Sequence, residues 1–236
     1  MEQTKKNRIW ELDAFRGICI IGVIIVHLIF DLQSFFGILT DMPDFYVFIQ
    51  NNGGILFILL SGICVTLGKH HIKRGLLVAA GALAVTLVTC VFLDDSFSIY
   101  FGILHLIAVC MLTYGLYRRL HHVFALVIGT SVVIIGYWFE TFFVTNEFLF
   151  PLGLTTPGFM SADYFPIFPF LGFFMIGTFL GKTVYRKKET LFPKVNEENV
   201  IIKGLSWCGK NSFFIYLLHQ PLLYGGFMLA EYLINK

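Results

Sequence analysis

The chain has 236 residues, 57% of them hydrophobic and 14% charged, with a mean hydropathy of +0.77. Soluble domains carry about a quarter charged residues, so an ordinary soluble globule is excluded and an integral membrane protein is expected. The net charge of +2 says little by itself, and no nucleic-acid partner is expected; where the charges fall says far more.

In chain order, the first feature is a run of basic residues, Lys5, Lys6 and Arg8, before a long apolar stretch. That stretch is too long for a secretory h-region and lacks a small-residue cleavage pattern, so it reads as a retained first helix. A membrane-crossing helix needs about 20 mostly apolar residues. Seven segments qualify, at roughly 15–38, 52–68, 75–94, 100–117, 122–139, 165–183 and 212–233. There is no internal repeat and no low-complexity tract, so residues 1–236 are expected to form one all-α polytopic bundle.

Basic residues collect on the cytoplasmic side of membranes. With seven spans and the N-terminus inside, every Lys and Arg except Lys236 falls on that side. The opposite segments carry Asp41, Asp44, Asp94, Asp95, Glu140, Glu147 and Asp163. The expected topology is N-terminus in, C-terminus out.

Gly177 and Gly181, in "MIGTFLGK", have the spacing that lets two helix backbones approach closely. Residues 139–164 form the longest outer connection, aromatic-rich and suited to a lid, a binding loop or interfacial filler. The five cysteines, Cys19, Cys64, Cys90, Cys110 and Cys208, are scattered without a CxxC or CxxH cluster. Neither a disulfide framework nor a metal site is expected.

Ionisable groups within spans cost about 2.5–3.5 kcal/mol each on insertion scales and usually have a task. The first span, "GICIIGVIIVHLIFDL", holds His27 and Asp31 four residues apart, on one helical face. An imidazole beside a carboxylate suits a general base with an orienting partner. His105 lies in the fourth span and His219 in the seventh, just before Pro221. Together the four residues are expected to line a polar path for a substrate group, a proton or an ion. His70, His71, His121 and His122 fall in inner loops and read as facing solvent or headgroups. Where the first span begins, Asp13 and Arg16 form an i, i+3 pair; a guanidinium at this mouth suits a phosphate-bearing ligand. His27 lies 11 residues beyond Arg16, or about 16 Å deeper.

These residues carry a resemblance. "ELDAFRGICIIGVIIVH" resembles the first helix of transmembrane acyltransferases, marked by an Arg and a His eleven residues later, here Arg16 and His27. "GGILFILLSG" resembles their second-helix signature, ending at Ser61 and Gly62. "YFGILHLIAV", "FPIFPFLGFFMIGTFLGK" and "GKNSFFIYLLHQPLLYG" resemble the small bacterial relatives of heparan-alpha-glucosaminide N-acetyltransferase. The resemblance implies a cytoplasmic acyl-CoA donor, acetyl-CoA foremost, and an acceptor hydroxyl or amine, such as a sugar's, at or across the membrane. It implies that Arg16 contacts the CoA phosphates and that His27 is catalytic. By their own placement, Asp13 joins Arg16 on the donor side, Asp31 orients the His27 ring, and His219 is a donor-side contact for the pantetheine or a support for His27. Ser61 and His105 become the substrate-side residues. It also implies residence in a bacterial cytoplasmic membrane. The better-known members have more spans, so a reduced acceptor site or one completed by a homo-oligomer is expected. The rival is a small proton- or solute-coupled transporter using the same His/Asp path, against which the missing repeat counts.

Overall fold

The computed structural model describes residues 8–37, 41–93 and 97–234. Lys5, Lys6, Asp94, Asp95 and Lys236, which enter the charge distribution above, lie outside them.

Among the described residues the chain forms eight α-helices: α1 Trp10–Phe36, α2 Asp44–Leu67, α3 His71–Phe92, α4 Ile103–Tyr117, α5 His122–Phe139, α6 Ile167–Thr183, α7 Val200–Lys210 and α8 Ser212–Ile234. A short 3-10 helix, Glu147–Leu152, precedes α6. Two isolated bridges, Phe101 with Tyr164 and Phe143 with Thr155, are the nearest approach to a strand among the described residues. The protein is all-α.

Helices α1, α2, α3, α5 and α8 are long and apolar enough to cross a membrane. Helices α4 and α6 have only 15 and 17 residues, about 22 and 26 Å against a hydrocarbon core of about 30 Å. Helix α2 is longer than its apolar run suggested, because it starts at Asp44 and takes in the polar segment before residue 52. A helix not expected from the sequence, α7, occupies the basic region before the last apolar helix. It is amphipathic, with Val200, Ile201 and Trp207 exposed and Ser206 and Gly209 buried.

The chain divides into two compact units, Met1–Phe57 with Glu189–Lys236, and Ile58–Lys188. In the first unit α1 is the central element. It ends at Gly37, which takes the left-handed conformation (φ 60°) and donates its N–H to Gln33 O and Leu32 O, a backbone cap that glycine adopts without strain. Near its start α1 packs on α7 through bare backbone. A Cβ on Gly17 would strike Leu205 O, and one on Gly209 would strike Asp13 O. Helix α7 is capped by Asn199, whose side chain accepts from Ile201 N at 2.9 Å. The Glu11 carboxylate draws in the segment before α7, accepting from Thr190 Oγ1 and Leu191 N at 2.8 Å each.

In the second unit the same device recurs where the GxxxG spacing predicted it. Gly177 and Gly181 of α6 meet the backbone of α2 at Leu59, Gly62 and Ile63. Gly129 of α5 meets Gly172 of α6, and Gly136 meets Pro169. Small residues replace interdigitating side chains at these crossings, so the helices gain contact through dispersion along the backbone.

The connection 140–166 is tied down. Ala162 N donates to Ser98 O at 3.2 Å and Phe165 N to Phe101 O at 3.0 Å. Tyr164 Oη donates to Phe150 O at 2.6 Å; burial, aided by the charge of Glu140, pushes this hydroxyl up to about 12, so it stays a neutral donor at physiological pH.

Candidate active site

The first unit brings five of the expected residues onto α1 and α8. Asp31 is 1% exposed and His219 7% exposed, while His27 is partly buried. The His27 and His219 rings meet edge-on, their centroids 4.9 Å apart and their planes at 65°. Asp13 and Arg16 sit near the start of α1, with Arg16 Nη1 3.7 Å from Asp13 Oδ1. The other Asp13 oxygen, Oδ2, is buried with no hydrogen-bond partner among the described residues.

Asp31 does not hold His27 in the way their spacing suggested. Both its oxygens accept from Gln220 Nε2, at 3.0 and 3.1 Å. Sharing a helix face places two side chains side by side, but an amide from the neighbouring helix is the better-aimed donor for a carboxyl group. That leaves His27 without a hydrogen bond among the described residues and packed on His219. Because the amide presents its NH2 to Asp31, its Oε1 faces away, and it is buried with no partner among the described residues.

His219 is held differently. Its Nδ1 lies 2.5 Å from Tyr216 O. A carbonyl only accepts, so Nδ1 carries the proton, and Nε2 is the lone-pair nitrogen of the neutral ring. The Tyr216 ring lies 5.2 Å away on the same helix.

The pairs Asp13 with Gly209, His27 with His219 and Asp31 with Gln220 climb both segments in the same direction. Helix α8 therefore runs alongside α1 with the same polarity, whereas α7, meeting Gly17 through Leu205 and Asp13 through Gly209, runs against it.

Ser61 and His105 belong to the second unit. Ser61 is buried on α2 beside Gly62. His105 has both nitrogens engaged. Gly102 N donates to Nδ1 at 3.2 Å, which puts the proton on Nε2, and Nε2 donates to Thr86 Oγ1 at 3.1 Å. The Thr86 hydroxyl in turn donates to Ile99 O at 2.7 Å. Beside this chain, Asp163 Oδ2 accepts from Ile103 N at 3.0 Å and so caps α4 from sixty residues away.

Two residues escaped the sequence reading. His71, expected to face solvent or headgroups, is 7% exposed in the first turn of α3. Its Nδ1 donates to Met111 O at 3.0 Å and its ring meets Tyr114 edge-on at 5.4 Å. Gly115 makes the room, since a Cβ there would lie 3.2 Å from the ring. Gln220 was the other omission. Its signal was present, as a polar residue next to His219 within an apolar helix.

No group of three or more metal-ligating side chains occurs among the described residues. The family model for heparan-alpha-glucosaminide N-acetyltransferase, catalytic, matches residues 8–221. The chain belongs to this family. The match spans every helix from α1 to the middle of α8, including His27, Asp31, His219 and Gln220. No curated protein matches the chain, and no solved structure does. Family membership makes the protein a transferase of the acetyltransferase kind, and its apolar helices make it an integral membrane protein.

Proposed function

We propose that the protein moves an acyl group, acetyl foremost, from cytoplasmic acyl-CoA to an acceptor hydroxyl or amine at or across the membrane. The observation that carries this reading is the facing His27–His219 pair in a family-matched chain, with His27 about 16 Å along α1 from Arg16. CoA is too large and too charged to enter a bilayer. Its phosphates would stay at Arg16, beside the buried Asp13, while the pantetheine arm carries the thioester to the two rings. There the acceptor needs a base for its proton and donors for the oxyanion.

The family's name specifies a glucosaminide, which supports a sugar amine as the first acceptor to try. Asp31 acts at the same centre through Gln220, its hydrogen-bond partner. Ser61 and His105 are the second unit's substrate-side residues. Since both nitrogens of His105 are engaged, its part is to shape its surroundings rather than to bind through hydrogen bonds.

Seven spans in a bacterial cytoplasmic membrane, with the N-terminus in the cytoplasm and the C-terminus outside, complete the reading; the shared polarity of α1 and α8 supports an odd count, and the distribution of basic residues supports the orientation. Helices α4 and α6 would cross with local thinning of the bilayer. A homo-oligomer would complete an acceptor site reduced by the small number of spans.

The test is titration of acetyl-CoA into the purified chain in nanodiscs, followed by label transfer from [14C]acetyl-CoA to glucosamine. Saturable binding and acceptor-dependent label transfer are expected. Absence of both, with solute or proton flux in vesicles lacking acyl-CoA, would replace this reading with transport.

A further inference from the structure

We propose that His219 is the base that takes the acceptor's proton, with the Tyr216 carbonyl fixing its tautomer; this rests on the acyltransferase reading. A general base must present a lone pair at a fixed place, and a histidine does so when its other nitrogen is tied to an acceptor. Of the two facing rings, His219 meets this requirement. Its Nδ1–H is aimed at Tyr216 O at 2.5 Å, one turn earlier on the same helix, and its ring is 7% exposed. His27 does not meet it. No hydrogen bond holds its ring among the described residues, and the carboxyl group that should have oriented it accepts from Gln220. The sequence pointed to His27 because the His/Asp spacing is visible within one helix, whereas a backbone carbonyl as orienter leaves no trace in residue types.

The division of labour follows. As the acceptor nitrogen or oxygen attacks the thioester carbon, its proton passes to His219 Nε2. His27, edge-on at 4.9 Å, offers a ring N–H to the developing oxyanion. When the carbon–sulfur bond breaks, the CoA thiolate leaves and takes the proton from His219 Nε2 as CoA-SH. His219 returns to its neutral form, and no oxidant, reductant or further reactant is consumed.

Two substitutions separate this role from a packing role. In His219→Asn the side-chain amide can still donate to Tyr216 O but cannot accept a proton; His219→Gln places an amide nearer the Nε2 position. Both are assayed in nanodiscs for acetyl-CoA affinity and for thioester loss, with glucosamine and with water alone as acceptor. A fall in kcat of about 100-fold or more, with acetyl-CoA Kd within threefold of wild type, is the expected result. A kcat within fivefold of wild type would overturn the assignment, and so would a loss confined to Kd, which would make His219 a pantetheine contact. Independently of turnover, 15N spectra of imidazole-labelled protein should show a neutral histidine protonated at Nδ1 for His219 beside that of His71, and only the His219 signal should be absent from the Asn variant. A ring protonated at Nε2 instead would remove the premise. If wild-type protein neither binds nor consumes acetyl-CoA, the acyltransferase reading falls and takes this one with it; if wild type turns over and the variants do also, only the base is lost.

Discussion

Two partly buried histidines, one in each unit, show how a polar residue in an apolar helix can be read. His105 is bonded at both nitrogens to scaffold atoms, Gly102 N and Thr86 Oγ1, and the chain ends at the Ile99 carbonyl. Every donor finds an acceptor, and the ring acts as a strut at the start of α4. His27 has no hydrogen bond among the described residues and faces a second imidazole instead. Both cost free energy to place in a membrane helix, yet only the first recovers it through its own scaffold bonds. The comparison teaches that a count of intramembrane histidines is a poor guide to chemistry; how each nitrogen is engaged is the better one.

Removing each ring in turn separates the two roles. His27→Ala, which removes the ring N–H offered to the oxyanion, should lower acyl transfer by about two to three orders of magnitude with little change in Tm. His105→Ala should do the reverse. It leaves the Gly102 N–H and its neighbours without a partner, a cost of about 1–3 kcal/mol, read as a fall in Tm with acetyl-CoA affinity retained. Thermal unfolding and a thioester assay on both variants decide it. Equal losses of activity with equal losses of Tm would erase the distinction.

A second variant tests how far Asp31 depends on its neighbour. Gln220→Leu keeps the volume of the side chain and removes the amide that serves both Asp31 oxygens. A buried carboxyl group stripped of its donor should cost about 1–3 kcal/mol, again visible in Tm. Transfer should also fall, because Gln220 adjoins His219. Gln220→Glu should be worse than Leu at neutral pH, since it sets a second carboxyl group against the first. An unchanged Tm in the Leu variant would mean that Asp31 finds another partner.

How much was legible in the sequence follows the same division. The apolar runs, the glycine crossings of α6 and the Arg16–His27 interval could be read because helical periodicity turns spacing into geometry. Gln220 as the partner of Asp31, and the Tyr216 carbonyl as the partner of His219, could not. One depends on how two helices are set side by side, the other on a backbone atom that every residue possesses. Helix α7 was hidden for a different reason. Its apolar residues Val200, Ile201 and Trp207 are exposed, so its pattern resembles a charged loop, and its packing on α1 relies on Gly209, a residue usually read as a breaker. His71 was misread because its burial depends on Gly115, distant in sequence.

At the donor end, Arg16→Ala should weaken acetyl-CoA binding about tenfold or more, the contribution of one charge-assisted contact to phosphate, and leave kcat at saturation nearly unchanged. Calorimetry with acetyl-CoA and with dephospho-CoA, which lacks one phosphate, checks it. Equal affinity in variant and wild type would reduce the Asp13–Arg16 pair, 3.7 Å apart, to an anchor for α1.

The smallest expected effect lies at the cap of α4. Asp163 accepts from Ile103 N at 3.0 Å, doing for this helix what an N-cap side chain usually does locally, and its charge suits the positive end of the helix. Asp163→Ala should cost about 1 kcal/mol, and Asp163→Asn less, because an amide oxygen can still accept while the charge is lost. Neither should alter acetyl-CoA affinity, since the strut built around His105 survives without its neighbour. If Asp163→Ala instead abolished transfer while the Tm moved little, the connection it pins would have to be counted among the parts that handle the acceptor, and the second unit could no longer be read as scaffold at this end.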